Sequence, residues 1–246
     1  MTPCIDLNCD LGEGAGHDAA LMPLITSANI ACGAHAGDVA TMRATVALAQ
    51  RHGVAIGAHP GFADREHFGR REMDLSPAAV RELVRSQIEA MQALSPVRHM
   101  KLHGALYNQA ARDAALAETV AQTVHELDAS MVVFVLPDSA LARTAVARGL
   151  RIANEVFADR TYQRDGSLTP RSRPDALIHD EHAAVDQVLR MIRDGVVRAT
   201  DGTDVPIRAD TVCLHGDGPD PVSFARHLRD ALRMANVEVK AFSPAT

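Results

Sequence analysis

Residues 27–61 read SANIACGAHAGDVATMRATVALAQRHGVAIGAHPG. Two apolar, strand-sized runs, 27–31 and 54–57, lead into nearly the same pentapeptide, Gly-Ala-His-Ala-Gly ending at Gly37 and Gly-Ala-His-Pro-Gly ending at Gly61. Between them, residues 38–52 open on an acidic residue and place apolar Val39, Met42, Val46 and Ala49 at helical spacing. Strand, helix, strand, with a polar residue at each strand's C-terminal end, is the pattern of a parallel βαβ unit.

The same alternation extends in both directions. Further candidate strands are 4–8, 99–102, 131–136, 150–155 and 211–214, with an eighth at 237–242. Helical patterns occupy 76–94, with Ser76 as N-cap and Pro77 at the first helical position, then 113–128, 139–148, 180–193 and 222–235. Seven or eight such units in 246 residues suit a closed (β/α) barrel; an open doubly wound sheet is the other reading. No stretch reads as an interdomain linker, so one domain over residues 1–246 is expected. The one long irregular stretch, 158–178, is rich in Arg, Gly and Pro and has the length of a lid or binding loop.

Composition excludes several classes. With 47% apolar and 23% charged residues the chain is ordinary globular protein. A net charge of −6 argues against nucleic-acid binding, and no apolar run is long enough to span a membrane. The start, MTPCIDLNCD, has no basic or apolar signal region, so secretion is not expected. Cys4, Cys9, Cys32 and Cys213 lack C-x-x-C spacing and read as buried free thiols in a reducing cytoplasm.

Polar residues concentrate where strands end. His35, His59, His103 and His215 each follow a strand and stand close to a glycine, and Glu155 closes another strand. Lys101 shares a strand face with His103, while Asp6, Asn8 and Asp10 alternate onto one face of the first strand. In parallel α/β folds these ends converge on the rim where chemistry is done. Lys101 is one of only two lysines, beside Lys240, in a chain that otherwise uses arginine. Gly12–Gly16 is either a phosphate-cradling loop or a plain turn. There is no P-loop, no G-x-S-x-G elbow and no H-E-x-x-H. Asp6 or Asp10 with His35, His59 and His215 has the donor types of a hydrolytic metal centre. Among His35, His59 and His215 no H-x-H or H-x-x-x-H pair fixes two ligands locally, so the spacing leaves a metal undecided.

The blocks IDLNCDLGEG (5–14), SANIACGAHAGD (27–38), GAHPGFADREHFGRR (57–71), KLHGALYN (101–108), NEVFADRTYQRDGSLTPR (154–171) and LHGDGP (214–219) run in chain order over nearly the whole sequence, which resembles the LamB/YcsF family. Leu102, where proline is expected, and Ala15, where a larger residue is common, are small departures. The resemblance implies a seven-stranded, TIM-like (β/α) barrel of the glycoside hydrolase/deacetylase type. It implies ATP-dependent opening of the lactam 5-oxo-L-proline to L-glutamate, with ADP and phosphate as the other products. The chain would be the A component of 5-oxoprolinase, working beside partner subunits B and C. Phosphorylation of a lactam oxygen makes C5 attackable, which calls for a base, oxyanion donors and a carboxylate anchor. By chemistry Asp10 or Glu155 is the candidate base, and Lys101 and His103 are candidates to stabilise an oxyanion or phosphate. His59 and His215 are candidate proton shuttles, Asp6, Asn8 and His35 candidate substrate contacts, and Arg160 the candidate carboxylate clamp. The missing P-loop leaves open whether ATP binds here or on the partner subunits. A homo-oligomer is compatible with the sequence. Two alternatives stand beside this reading. One is a stand-alone metal-dependent deacetylase or amidohydrolase acting on a carbohydrate or cyclic amide; the other is a non-catalytic ligand-binding subunit.

Overall fold

A computed structural model describes residues 3–215 and 220–243. The strands are β1 (Cys4–Leu11), β2 (Ser27–Ala31), β3 (Ala55–His59), β4 (His99–Lys101), β5 (Val132–Val135), β6 (Arg151–Phe157), β7 (Val196–Arg198), β8 (Asp204–Pro206), β9 (Thr211–Leu214) and β10 (Glu238–Val239). The helices are α1 (Asp18–Leu21), α2 (Val39–His52), α3 (Pro77–Gln92), α4 (Gly104–Arg112), α5 (Ala114–Leu127), α6 (Ala140–Ala147), α7 (Glu181–Asp194) and α8 (Pro221–Met234). Strands pair in parallel in the order β1-β2-β3-β4-β5-β6-β9, and β9 pairs back to β1 from Asp6↔Thr211 to Cys9↔Leu214. The sheet therefore closes into a seven-stranded TIM-like barrel with helices outside, which decides between the two topologies the alternation allowed.

The strand and helix boundaries follow from local chemistry. Asp38, Ser76, Asp113, Ser139, Asp180 and Asp220 each accept a backbone N–H in the first turn of the helix they open. Helix α4 carries no such side-chain cap, and the sequence reading does not anticipate it. It runs straight into Asp113, which ends α4 and caps α5. The candidate eighth strand shrinks to Glu238–Val239 and pairs only with Cys4 and Ile5, so it adds no stave to the barrel. The short helix α1 and a small antiparallel hairpin, β7 with β8, are likewise unanticipated. Three of the four thiols are buried as expected, but Cys4 is exposed because β1 begins there, outside the barrel wall. Val39 is also exposed; the inner face of α2 is Met42, Thr45, Val46 and Ala49.

The period-2 alternation of the strands sorts residues between two interiors. Leu7, Cys9, Leu11, Ala28, Ile30, Ile56, Ala58 and Met100 join the large apolar core between sheet and helices. The opposite faces point into the barrel. Val132, Phe134 and Ala153, with Phe242 packed against them, form a small apolar cluster of their own. Most of the remaining interior is polar. Asn8 donates to Thr211 Oγ1 at 2.8 Å, Asn29 donates to Asn8 at 2.7 Å and to Asp10 at 2.8 Å, and His99 donates to Asn29 at 2.9 Å. Asp6 accepts from the hydroxyls of Thr26 and Ser27, each at 2.7 Å, and from Thr211. Each of these buried polar groups is answered by a neighbour, which a closed interior requires.

This packing fixes Gly57 on β3. A Cβ there would stand 2.1 Å from His99 Nε2, and the His99 ring is stacked on Phe134 and has no room to retreat. Gly57→Ala is therefore expected to destabilise the protein by at least about 2–3 kcal/mol. Urea unfolding measures this, and an unchanged midpoint would contradict the interior described.

Candidate active site

The C-terminal rim gathers residues from five strand ends, with Glu155, read as closing its strand, lying below it because β6 continues to Phe157. Asp10 comes from β1, Glu13 from the loop after it, His35 from the loop after β2, and His59 is the last residue of β3. Lys101 ends β4, His103 is the N-cap of α4, Glu155 lies on β6, and His215 follows β9. A cleft of about 720 Å³ opens over them. Asp10, Glu13, Lys101, His103 and His215 line it, and residues 165–172 of the long irregular stretch form one wall. That stretch is tied down by Tyr162, fully buried, whose hydroxyl accepts from Phe157 N at 2.8 Å.

Lys101 sits at the junction of floor and interior. Its ammonium is 2.9 Å from Asp10 Oδ1, 2.8 Å from Glu155 Oε1, 3.1 Å from Cys213 Sγ and 3.4 Å from Asn8 Oδ1. Burial pushes its pKa down, but Asp10, Cys213 and Glu155 outweigh this and hold it well above the ordinary lysine value. Burial likewise pushes Asp10 up, while His59 and Lys101 overcome it and hold that carboxyl well below its usual range. The Glu155 carboxylate is completely buried and, apart from Lys101, lies beside the buried Tyr107 hydroxyl without a well-formed hydrogen bond.

Next to this ion pair lies an imidazole cluster. His59 Nε2 is 3.3 Å from Asp10 Oδ2, 3.7 Å from Glu13 Oε1 and 3.0 Å from His103 Nδ1. Glu13 Oε1 is 3.2 Å from His103 Nδ1 and accepts from His35 Nε2 at 3.1 Å. His35 and His103 are stacked, with ring centroids 3.8 Å apart. Two glycines make that stack possible. A Cβ on Gly61 would meet His35 Nδ1 at 2.7 Å, and one on Gly69 would meet His35 Cβ at 2.9 Å and His103 at 3.0 Å. Burial pushes the His35 pKa down to about 4, so this ring is neutral at pH 7. For His59, burial pulls down, but Asp10 and Glu13 outweigh it and leave the pKa raised. The donor atoms of Glu13, His35, His59 and His103 all lie within 4.8 Å of one another, as do those of Asp10, Cys213 and His215.

The structure redistributes several residues read from the sequence. Asp10, Lys101, His103 and His215 line the cleft, with His59, Glu155 and His35 packed directly behind. Asp6 and Asn8 do not reach it. Both are buried inside the barrel, where Asp6 is spent on three hydroxyl donors and Asn8 bridges Thr211, Asn29 and Lys101, because β1 enters the barrel four residues before its rim position. Arg160 lines the cleft as well, and its Nε and Nη2 donate to the carbonyls of Ala176 and Thr169, which ties it to the loop. The donor set weighed for a metal, Asp6 or Asp10 with His35, His59 and His215, is not the one that converges, since His215 lies with Asp10 and Cys213. Gly216, the glycine beside His215, lies outside the described residues, as does the end of the block 214–219. Gly12 N donates to Asp18 Oδ2 at 2.8 Å, so the glycine-rich turn is fixed by its own chain.

Three participants escape the sequence reading. Glu13 stands between two glycines just past β1, the same signature that marks the histidines, but a carboxylate in a loop is easily taken for a solvated one. Asp159 brackets His215 Nδ1 with both oxygens at 2.8 Å. Arg171, exposed on the loop wall, donates to His215 Nε2 at 3.2 Å.

A closed α/β barrel whose rim holds a buried lysine–dicarboxylate pair beside clustered imidazoles is an enzyme barrel built for polar, hydrolytic chemistry. The chain belongs to the LamB/YcsF family, whose model matches residues 5–246. It is 52% identical to a Bordetella pertussis protein named as the A subunit of 5-oxoprolinase, covering 98% of this chain and 100% of that one. A crystal structure of a lactam utilization protein from Thermus thermophilus superposes with a TM-score of 0.91 at 45% identity, covering 97% of this chain and all of the other. A family 4 carbohydrate esterase from Streptomyces lividans, at 10% identity and a TM-score of 0.51 over 98% of this chain and 94% of its own, shares the fold.

The Asp159–His215 pair gives a pH-dependent expectation. Burial pushes Asp159 up, but His215 and Arg171 outweigh it and depress its pKa. A depressed carboxyl pKa contributes stability above the unfolded value and loses it as pH falls through the folded value. Asp159→Asn should therefore cost about 1–2 kcal/mol near pH 7. The two unfolding curves should converge as pH drops below about 4, the ordinary aspartate value. A gap that stays constant across that range would show that Asp159 contributes through packing instead.

Proposed function

We propose that this chain is the lactam-handling component of an ATP-dependent 5-oxoprolinase, which opens 5-oxo-L-proline to L-glutamate. The observation that carries the reading is the Asp10–Lys101–Glu155 arrangement at the floor of the cleft, in a chain half-identical to proteins named for that activity. A lactam carbonyl is a poor electrophile. Transfer of the ATP γ-phosphoryl group to its oxygen, with release of ADP, makes C5 open to water. Water adds at C5 as Asp10 takes its proton, the C5–N bond breaks as nitrogen takes a proton, and a second water hydrolyses the acyl phosphate to L-glutamate and phosphate.

The chain's residues suit these tasks. Asp10 faces the cleft and is held ionised, as a base must be. Lys101 places a compact positive charge where negative charge develops. His215, its Nδ1 held by Asp159, lines the cleft with Nε2 as a lone pair that can take up a proton and relay it to the ring nitrogen once Arg171 turns to the substrate. Arg171, exposed on the cleft wall, joins Arg160 as a group able to grip the substrate carboxylate. The sequence holds no P-loop, which supports activation on partner proteins, and the relatives' designation as one lettered component of a larger enzyme points toward such partners.

Purified alone, the chain should turn over 5-oxoproline poorly and gain activity only with ATP and its B and C partners. Coupled ADP-release and glutamate assays measure both. Full ATP-coupled turnover by the single chain would contradict the division of labour, and ATP-independent cleavage of a cyclic amide or acetylated sugar would favour the stand-alone hydrolase instead.

Lys101→Arg tests the charge directly. The guanidinium is larger and delocalised, and cannot occupy a pocket whose four polar neighbours lie 2.8–3.4 Å from one nitrogen. The kcat of the assembled enzyme should fall about 100-fold or more in protein that remains folded by circular dichroism. Retention of most activity would assign Lys101 to structure alone.

A further inference from the structure

We infer that His59 Nε2, His103 Nδ1 and Glu13 Oε1 form a three-ligand site for a zinc-type divalent cation, open on its fourth side to the cleft. The inference does not rest on the lactam reaction; it rests on where the ring protons must be. His59 Nδ1 is 2.9 Å from the Lys101 carbonyl oxygen, and His103 Nε2 is 2.8 Å from the Phe68 carbonyl oxygen. A carbonyl only accepts, so each of these nitrogens carries its hydrogen. In a neutral imidazole the other nitrogen is then a bare lone pair. Those two lone pairs face each other at 3.0 Å. Glu13 Oε1 lies 3.2 Å from one and 3.7 Å from the other, and Asp10 Oδ2 lies 3.3 Å from His59 Nε2. Acceptors therefore converge on one small volume, which a single bound cation satisfies together.

The dimensions fit such an ion. Ligands at about 2.0–2.1 Å from a tetrahedral centre stand about 3.3 Å apart, and the triad's three separations of 3.0, 3.2 and 3.7 Å bracket that value. Two imidazoles and one carboxylate are the donor types of zinc-class catalytic sites, which keep one position open. Here the open side is the cleft, since Glu13 and His103 line it.

His35 takes a different part. It donates Nε2–H to Glu13 and so carries its proton on the side that faces the site. It is the orienting partner that holds the carboxylate, just as the two backbone carbonyls hold the ligating rings. Asp10, Glu13 and Glu155 bring three carboxylates close to these rings and the Lys101 ammonium, a setting that favours a bound cation.

The test uses the full chain, stripped with chelator and then dialysed. Titration with Co²⁺ should saturate at one ion per chain with the visible bands of a low-coordinate nitrogen–oxygen site, and Zn²⁺ should displace it and raise the melting temperature. Glu13→Gln and His103→Gln should each weaken Zn²⁺ binding by about 100-fold or more, beyond the loss typical of an outer-shell partner. His215→Gln, outside the triad, should leave the affinity unchanged. His182→Gln controls for the surface pair His182–His227, whose rings are 4.9 Å apart. If binding disappears in that variant and survives in Glu13→Gln, the site is elsewhere and the inference fails. Should a triad variant not fold, the anomalous signal of Zn²⁺ in crystals of the unmodified chain decides. A peak among His59, His103 and Glu13 upholds the site. No peak, or one elsewhere, overturns it and leaves a proton shared between the two rings.

Discussion

One buried ammonium holds the interior of this barrel together. Lys101 is enclosed by β1, β4, β6 and β9 and touches Asp10, Glu155, Cys213 and Asn8. TIM-type barrels ordinarily fill this space with branched apolar side chains. Here carboxylates and amides fill much of it, and a buried carboxylate is tolerable only when its charge is answered. Asn8 and Asn29 carry the hydrogen bonding on from Lys101 to Thr211, His99 and Asp6. Interior and site are therefore one polar structure. The residues that keep the barrel closed around its polar filling also place the base and the positive charge at the cleft floor.

The alternation of apolar runs and amphipathic stretches made the barrel legible. Two candidate strands, 27–31 and 211–214, match β2 and β9 residue for residue, and the acidic start at Asp38 and the N-cap signal at Ser76 mark real helix starts. Helix α4 was hidden because its boundary residue, Asp113, advertises only the helix that follows. Closure itself, β9 pairing with β1, is a contact across some two hundred residues that no local pattern encodes.

The site was legible in kind more than in detail. Strand-end position pointed to the rim, which gathers His35, His59, Lys101, His103 and His215, whereas Glu155 sits short of the end of β6, level with Thr211 inside the barrel. Depth along a strand is a different matter. Asp6, Asn8 and Asp10 share one face, and only the three-dimensional height of β1 separates the residue that lines the cleft from the two below it. Arg160 does line the cleft, but no pattern in the sequence signalled that the loop's own carbonyls would hold part of its guanidinium. Glu13 shows the reverse error: a loop carboxylate between glycines turns inward because Asp18 anchors the backbone beside it.

The loop that walls the cleft is secured separately from the barrel's polar interior. Tyr162 is sunk beneath it and bridges to Leu168 and Ala199, and Arg160 ties it to its own backbone, while Arg164, Asp165 and Arg171 stay at the surface. Variation therefore falls unevenly on this scaffold. Surface positions of the loop can change size or charge without disturbing the lysine and carboxylates beneath, so the choice of molecule admitted can drift while the reactive floor stays fixed. A lineage on this barrel has room to alter its diet one loop residue at a time.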